Sequence, residues 1–238
     1  MKRIAVIFAA GKGTRMNSLS LPKPFLLVNG FPIIVYTLRW FQEHEQIDEI
    51  MLVCAAEWTE YARAIVKKYD LNKVSITVGG ASAIESQYKG LQAVRMKHEE
   101  AIVLMHDGVR PLINPELIGS CIESVKQFGS AITVANASET VLCVDDEQNV
   151  CSIFNRDSCK IGRAPQCFYL STLLELHEKY RAELPKEVVD SASLASHYGM
   201  KLHTVCGPAE NIKLTTPSDY YYFKAMIDAR ENQQFAEI

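Results

Sequence analysis

Two cations, Arg15 and Lys23, fall within one loop of this chain. The loop reads Ala9-Ala10-Gly11-Lys12-Gly13-Thr14-Arg15-Met16, then Leu21-Pro22-Lys23-Pro24-Phe25, and it follows the first apolar run. Glycines let backbone N–H groups approach phosphates closely, because no side chain stands in the way. Met16 occupies the place of the third glycine of a dinucleotide fingerprint, and no Gly-Lys-Ser/Thr closes a Walker A loop. A lone Gly-x-Gly would be read as a tight surface turn with solvated charges. Arg15 and Pro22-Lys23, in this order after a first strand, favour phosphate binding.

An acid follows in His106-Asp107, at the end of the apolar run 101–106. In an open α/β sheet, ligand-binding acids belong at the carboxyl ends of strands. The plainer alternative is an aspartate that forms a turn. Asp190 is ambiguous in the same way, since an acid that starts a helix can be a simple N-cap. His106 is read as structural.

The elements that must hold these residues are legible from periodicity. Apolar runs at 4–9, 50–54, 74–78, 101–106 and 131–135 show little polar alternation, which suits strands of a parallel sheet covered on both faces. Trp58, Tyr61, Ala62, Ile65, Val66 and Tyr69 fall at helical spacing, as do Leu117, Ile118, Cys121, Ile122, Val125 and Phe128. Pro32 and Pro115 suit first helical turns, and Thr216-Pro217-Ser218-Asp219 reads as the capped start of a final helix. The region 140–168 has no helical period; its runs 140–144 and 149–154 flank a polar turn and read as a hairpin. The expectation is one domain over 1–238 with an arm at about 138–162.

Bulk properties narrow the partners. A net charge of −3 gives no general attraction to nucleic acid or an anionic membrane. The opening apolar run is too short to span a bilayer. Seven cysteines without CxxC spacing point to free, buried thiols and a cytoplasmic protein.

Gly11-x-Gly13-x-Arg15-Met16 followed by Pro22-Lys23-x-Phe25-Leu26 resembles the sugar-nucleotide pyrophosphorylase superfamily. Five further segments narrow the likeness. They are Gly79-Gly80 with Ser86 and Gly90-Leu91; His106-Asp107-Gly108-Val109-Arg110-Pro111; Ala164-Pro165-Gln166-x-Phe168; Asp190-Ser191-Ala192; and Asn211-Ile212-Lys213-Leu214-Thr215. Together they resemble the sugar-alcohol-phosphate cytidylyltransferase family, which acts on ribitol 5-phosphate or 2-C-methyl-D-erythritol 4-phosphate in teichoic-acid or isoprenoid precursor biosynthesis. The resemblance implies a Rossmann-like nucleotidyltransferase fold with a mostly parallel sheet, Mg²⁺ as cofactor, CTP and a polyol phosphate as substrates, and a homodimer with a β-hairpin dimerisation arm. Arg15, Lys23 and Lys213 would be catalytic, with Lys213 acting from the far side. Ala9, Ala10, Gly11, Gly13, Gly80, Ser86 and Asp107 would bind the nucleotide, with Asp107 also on the metal. Arg110, and Thr140 and Arg156 from the partner's arm, would bind the acceptor.

The chemistry asked of such an enzyme agrees with this set. A phosphate monoester has a second pKa of about 6, so it is largely ionised at neutral pH and needs no general base to attack the α-phosphorus of CTP. The demand is for cations and backbone N–H groups that gather two anions and stabilise developing charge.

The chain departs from the family pattern twice. Ala83 stands where the family has arginine, which questions nucleotide affinity, and Pro24 replaces a usual glutamine. Trp58, Arg156-Asp157 and the run from Gly162 to Gln166 look more like the ribitol branch. A nucleotide-binding protein without catalysis is the reading that the change at Ala83 leaves open.

Overall fold

The structure is a computed structural model that describes residues 1–10, 21–183 and 188–236. In chain order, β1 (Lys2–Ala9) precedes a small hairpin of β2 (Leu27–Val28) and β3 (Phe31–Pro32), then α1 (Ile33–Glu43), β4 (Glu49–Cys54), α2 (Thr59–Lys68) and β5 (Val74–Val78). Next come α3 (Ala83–Arg95), β6 (Ala101–Asp107), α4 (Pro115–Phe128), β7 (Ser130–Asn136), β8 (Leu142–Val144) and β9 (Val150–Ile153). The chain continues through β10 (Lys160–Tyr169), α5 (Leu170–Glu183), α6 (Ser191–His197), β11 (Thr204–Cys206) and α7 (Pro217–Ala236).

Seven strands form the main sheet in the order β11-β7-β10-β6-β1-β4-β5. β1 lies parallel to β4 and β6, β4 to β5, and β11 to β7, while β10 runs antiparallel to both neighbours. The sheet is therefore mostly parallel, as the unbroken apolar runs predict. Alternate residues serve two cores. Ala5, Ile7, Leu52 and Leu104 pack with Leu38 and Phe41 of α1 and Ile118 and Ile122 of α4. On the other face, Val6, Val53, Val103 and Met105 pack with Leu91 and Val94 of α3 and Leu173 of α5. That double cover is why these strands carry almost no polar residues.

The helix signals locate the starts of α4 and α7. Asn114 Oδ1 accepts the Leu117 N–H at 3.0 Å with Pro115 in the first turn. Asp219 Oδ2 accepts the N–H groups of Thr215 and Thr216, each at 2.7 Å, so the first-turn acid of α7 caps it. Pro32 lies one position earlier than expected, at the N-cap of α1.

The region 140–168 needs correction. Its first part forms the hairpin β8–β9, a separate two-stranded sheet. From Lys160, however, the chain is already back in the main sheet, so the arm ends before 162. Gly162, Arg163 and Pro165 hide this strand from pattern reading. They are tolerated because the ladder breaks there: β10 advances from Gly162 to Gln166 while β7 moves only from Val134 to Ile132. A bulge of this kind accepts a residue with no N–H to donate. The cysteines also divide. Cys54, Cys121 and Cys167 are buried free thiols as expected, but Cys143, Cys151 and Cys206 are exposed.

Candidate active site

The route of the chain creates the site. From β1 it passes through α1 to β4 on one side, and from β5 through α3 it crosses back to β6 on the other side of β1. Ligands bind at the carboxyl ends of strands where the winding reverses like this. A cleft of about 760 Å³ opens there, lined by Ala9 and Ala10 after β1, by Gly79, Gly80 and Ser86 after β5, and by His106 and Asp107 of β6.

At the β5 end the backbone is drawn tightly together. Ser86 Oγ accepts the Gly80 N–H at 2.9 Å and donates to Ser82 O at 2.9 Å, which fixes the turn into α3. A Cβ on Gly79 would stand 2.9 Å from both Ala10 Cβ and Ser86 Oγ, so only glycine lets the loops after β1 and β5 meet. Ala83, at the first position of α3, lines the cleft and is exposed.

The cations gather around Asp107. Lys213 Nζ donates to its Oδ1 at 2.7 Å and Arg110 Nε to its Oδ2 at 2.8 Å. Burial alone would raise the Asp107 carboxyl, but Lys213 and Arg110 together hold it below the ordinary carboxylate value. Arg110 also donates to Asn211 O at 3.0 Å, and the fully buried Asn211 donates to Ala164 O at 2.6 Å. Lys23 is buried, and its Nζ donates to Thr215 O at 2.8 Å, which anchors it to the segment carrying Lys213. His106 is structural. Its Nε2 lies 3.0 Å from Arg110 O, and burial pushes its pKa down to about 4, so it is neutral at pH 7.

The structure thus brings Lys23, Lys213, Ala9, Ala10, Gly80, Ser86, Asp107 and Arg110 to one cleft. Gly11, Gly13 and Arg15 lie outside the described residues. Thr140 and Arg156 are exposed on or beside the arm and do not line this chain's cleft. Asp190 is both things at once. It caps α6, accepting the Ser193 N–H at 2.8 Å, and it lines the cleft, where Gln166 Nε2 donates to its Oδ2 at 2.7 Å. Arg163 is a cation of the cleft wall that reading by motif missed.

Among the described residues, no group of three or more His, Cys, Asp or Glu forms a metal cage. A Mg²⁺ ion held with a nucleoside triphosphate needs only one or two carboxylates, with phosphates and water completing its shell. Asp107 suits that donor set. Its Oδ1 partner, Lys213, is 44% exposed in its side chain, so a divalent cation can replace that contact without stranding the carboxylate.

The model of the 2-C-methyl-D-erythritol 4-phosphate cytidylyltransferase family matches residues 3–229. A ribitol-5-phosphate cytidylyltransferase of Streptococcus agalactiae serotype V is 45% identical over 236 residues, covering 98% of each chain. A 2-C-methyl-D-erythritol 4-phosphate cytidylyltransferase of Clostridium botulinum is 39% identical over 219 residues, or 92% of this chain and 94% of that one. The solved structure of 4-diphosphocytidyl-2C-methyl-D-erythritol synthase from Anaerococcus prevotii superposes with a TM-score of 0.83 at 30% identity, covering 95% of this chain and 96% of that one.

Proposed function

The chain belongs to the 2-C-methyl-D-erythritol 4-phosphate cytidylyltransferase family, and on that premise we propose that it condenses CTP with ribitol 5-phosphate to give CDP-ribitol and pyrophosphate. The observation that favours ribitol 5-phosphate over methylerythritol phosphate is the higher identity over more of the chain to enzymes named for the former, 45% against 39%.

In this reading the acceptor's phosphate oxygen attacks the α-phosphorus of CTP, and pyrophosphate departs. The acceptor arrives ionised, so no side chain has to take a proton. Lys23 and Lys213 stabilise charge on the α-phosphoryl group, and Lys23 is already oriented by a partner on the protein, Thr215 O. Orientation before substrate binds lowers the reorganisation that the reaction would otherwise require. The turn from Gly79 to Ser86 presents backbone groups to the cytosine edge. Asp107 would hold Mg²⁺, which would supply neutralising charge to the triphosphate. The protein acts as a homodimer in the cytoplasm, with the arm of one chain completing the acceptor site of the other.

The test is CTP-dependent pyrophosphate release against a panel of polyol phosphates. Activity is expected with ribitol 5-phosphate, lost in EDTA and restored by Mg²⁺. Preference for methylerythritol phosphate would move the chain to its sister activity. Preference for a purine triphosphate would overturn the assignment.

A further inference from the structure

Arg163 is a cation in the cleft wall with no counter-charge. Its Nε is buried, and among the described residues its side chain makes no hydrogen bond or ion pair. Burial first, and the like charge of Arg110 second, push its pKa down. Arg110 shares Asp107 with Lys213, at 2.8 and 2.7 Å, so the carboxylate already serves two cations and leaves none of its charge for Arg163. A part-buried cation in a cleft wall with no counter-charge favours the arrival of an anion.

Its place in the strand has a cause. Arg163 sits in the bulge where β10 and β7 lose register between Gly162 and Gln166. Bulges re-aim side chains and recur beside active sites.

Sheet order says which anion would meet it. The loops that follow β1 and β5 border the cleft on one side of β6, and β10 lies on the other side. A nucleotide lying from the turn after β5 to the loop after β1 therefore leaves the β10 side, with Arg163 and Arg110, to the second substrate. We propose that Arg163, paired with Arg110, receives the phosphate monoester of the acceptor, so that the chain's own β10 supplies part of the acceptor site. A guanidinium presents two parallel N–H donors to a phosphate, which lysine cannot. The inference rests on the polyol-phosphate reading above.

The experiment uses the full-length protein with Arg163→Met and Arg163→Lys, each checked for a wild-type melting temperature. Hydrogen bonds to charged groups are worth enough that losing them should raise KM for ribitol 5-phosphate about 10- to 100-fold in Arg163→Met. Arg163→Lys should fall between Met and wild type, while KM for CTP stays within about twofold. Acceptor KM unchanged in Arg163→Met, or a rise confined to CTP, would overturn the assignment. Titration with inorganic phosphate runs in parallel and does not depend on turnover. If the wild type transfers to no polyol phosphate, the functional reading fails. The Arg163 assignment then stands only if the wild type binds inorganic phosphate and Arg163→Met weakens that binding by a similar factor.

Discussion

Lys213 and Asp107, 106 positions apart in the chain, meet at 2.7 Å in the cleft. The contact links β6 to the segment after β11, and the backbone reinforces it: Leu214 N donates to Val109 O at 2.9 Å. The catalytic candidate Lys213 and the nucleotide- and metal-binding candidate Asp107 thus orient each other before any substrate binds. Together with Arg110, the aspartate forms a charge-matched base from which a lysine can turn to a phosphate.

Removal of either lysine should slow the chemical step more than it weakens the fold. Taking one preorganised donor from a developing anion typically costs about 10²–10³ in rate, or ~3–4 kcal/mol. Lys23→Met keeps the aliphatic stem that fills a buried position, so loss of charge is separated from loss of packing. Single-turnover rates for Lys23→Met and Lys213→Met, beside their melting curves, provide the measurement. Wild-type-like turnover in a folded Lys23→Met protein would remove it from the mechanism.

Ala83 offers a gain of function. It is exposed at the first position of α3 and lines the cleft, so a longer side chain has room and the arginine that the resemblance implies there can be introduced. Ala83→Arg should lower KM for CTP and leave KM for the acceptor alone. An unchanged CTP affinity would mean that the neighbouring backbone already does what the arginine does elsewhere.

Acid should destabilise the protein through two buried imidazoles. Burial pushes His106 and His177 each down to about 4, and both ring nitrogens of His177 lack a partner among the described residues. These pKa values lie below the unfolded value, so the neutral folded form is favoured. The contribution is fully present above pH ~6.5 and is lost as pH falls from there to about 4. Between pH 7 and pH 5 each histidine should cost about 2 kcal/mol of stability. His177→Phe should flatten part of that slope. Urea midpoints at the two pH values would show it, and equal slopes for the variant and wild type would exclude His177 as a source.

Much of this site could be read from the sequence because its residues sit at the ends of uniform strands. Asp107 was found where an apolar run stops, while Gly80 and Ser86 came only from the resemblance to the family. Arg163 was not found, because a bulged strand has neither a period of two nor an unbroken apolar run. The pairing of β10 between β6 and β7 depends on residues more than 20 positions away in the chain, which no local pattern reports. The exposed cysteines of the arm escaped for a related reason. Apolar alternation marks a face to be covered without saying what covers it.

That uncovered face carries the last prediction. In the hairpin, Leu142, Val144, Val150 and Ile153 are each between 45% and 68% exposed, and Phe154 beside them is 49% exposed. A two-stranded hairpin is marginal alone in water, so an apolar surface of this kind calls for a partner, and in a symmetric dimer the partner's arm can provide it. Arg156 lies just beyond β9, exposed and outside its own chain's cleft, where it can serve the acceptor site of the other subunit. Lys23→Ala would damage the core of a site and Arg156→Ala would damage only the arm. In a mixed dimer, one site then unites the intact core of one chain with the intact arm of the other. With random pairing half the dimers are mixed, so co-expression should restore up to about a quarter of wild-type activity from two inactive parents. Size-exclusion chromatography with differently tagged chains would verify that mixed dimers form. If they form and restore nothing, Arg156 acts in its own subunit or has no part in the reaction.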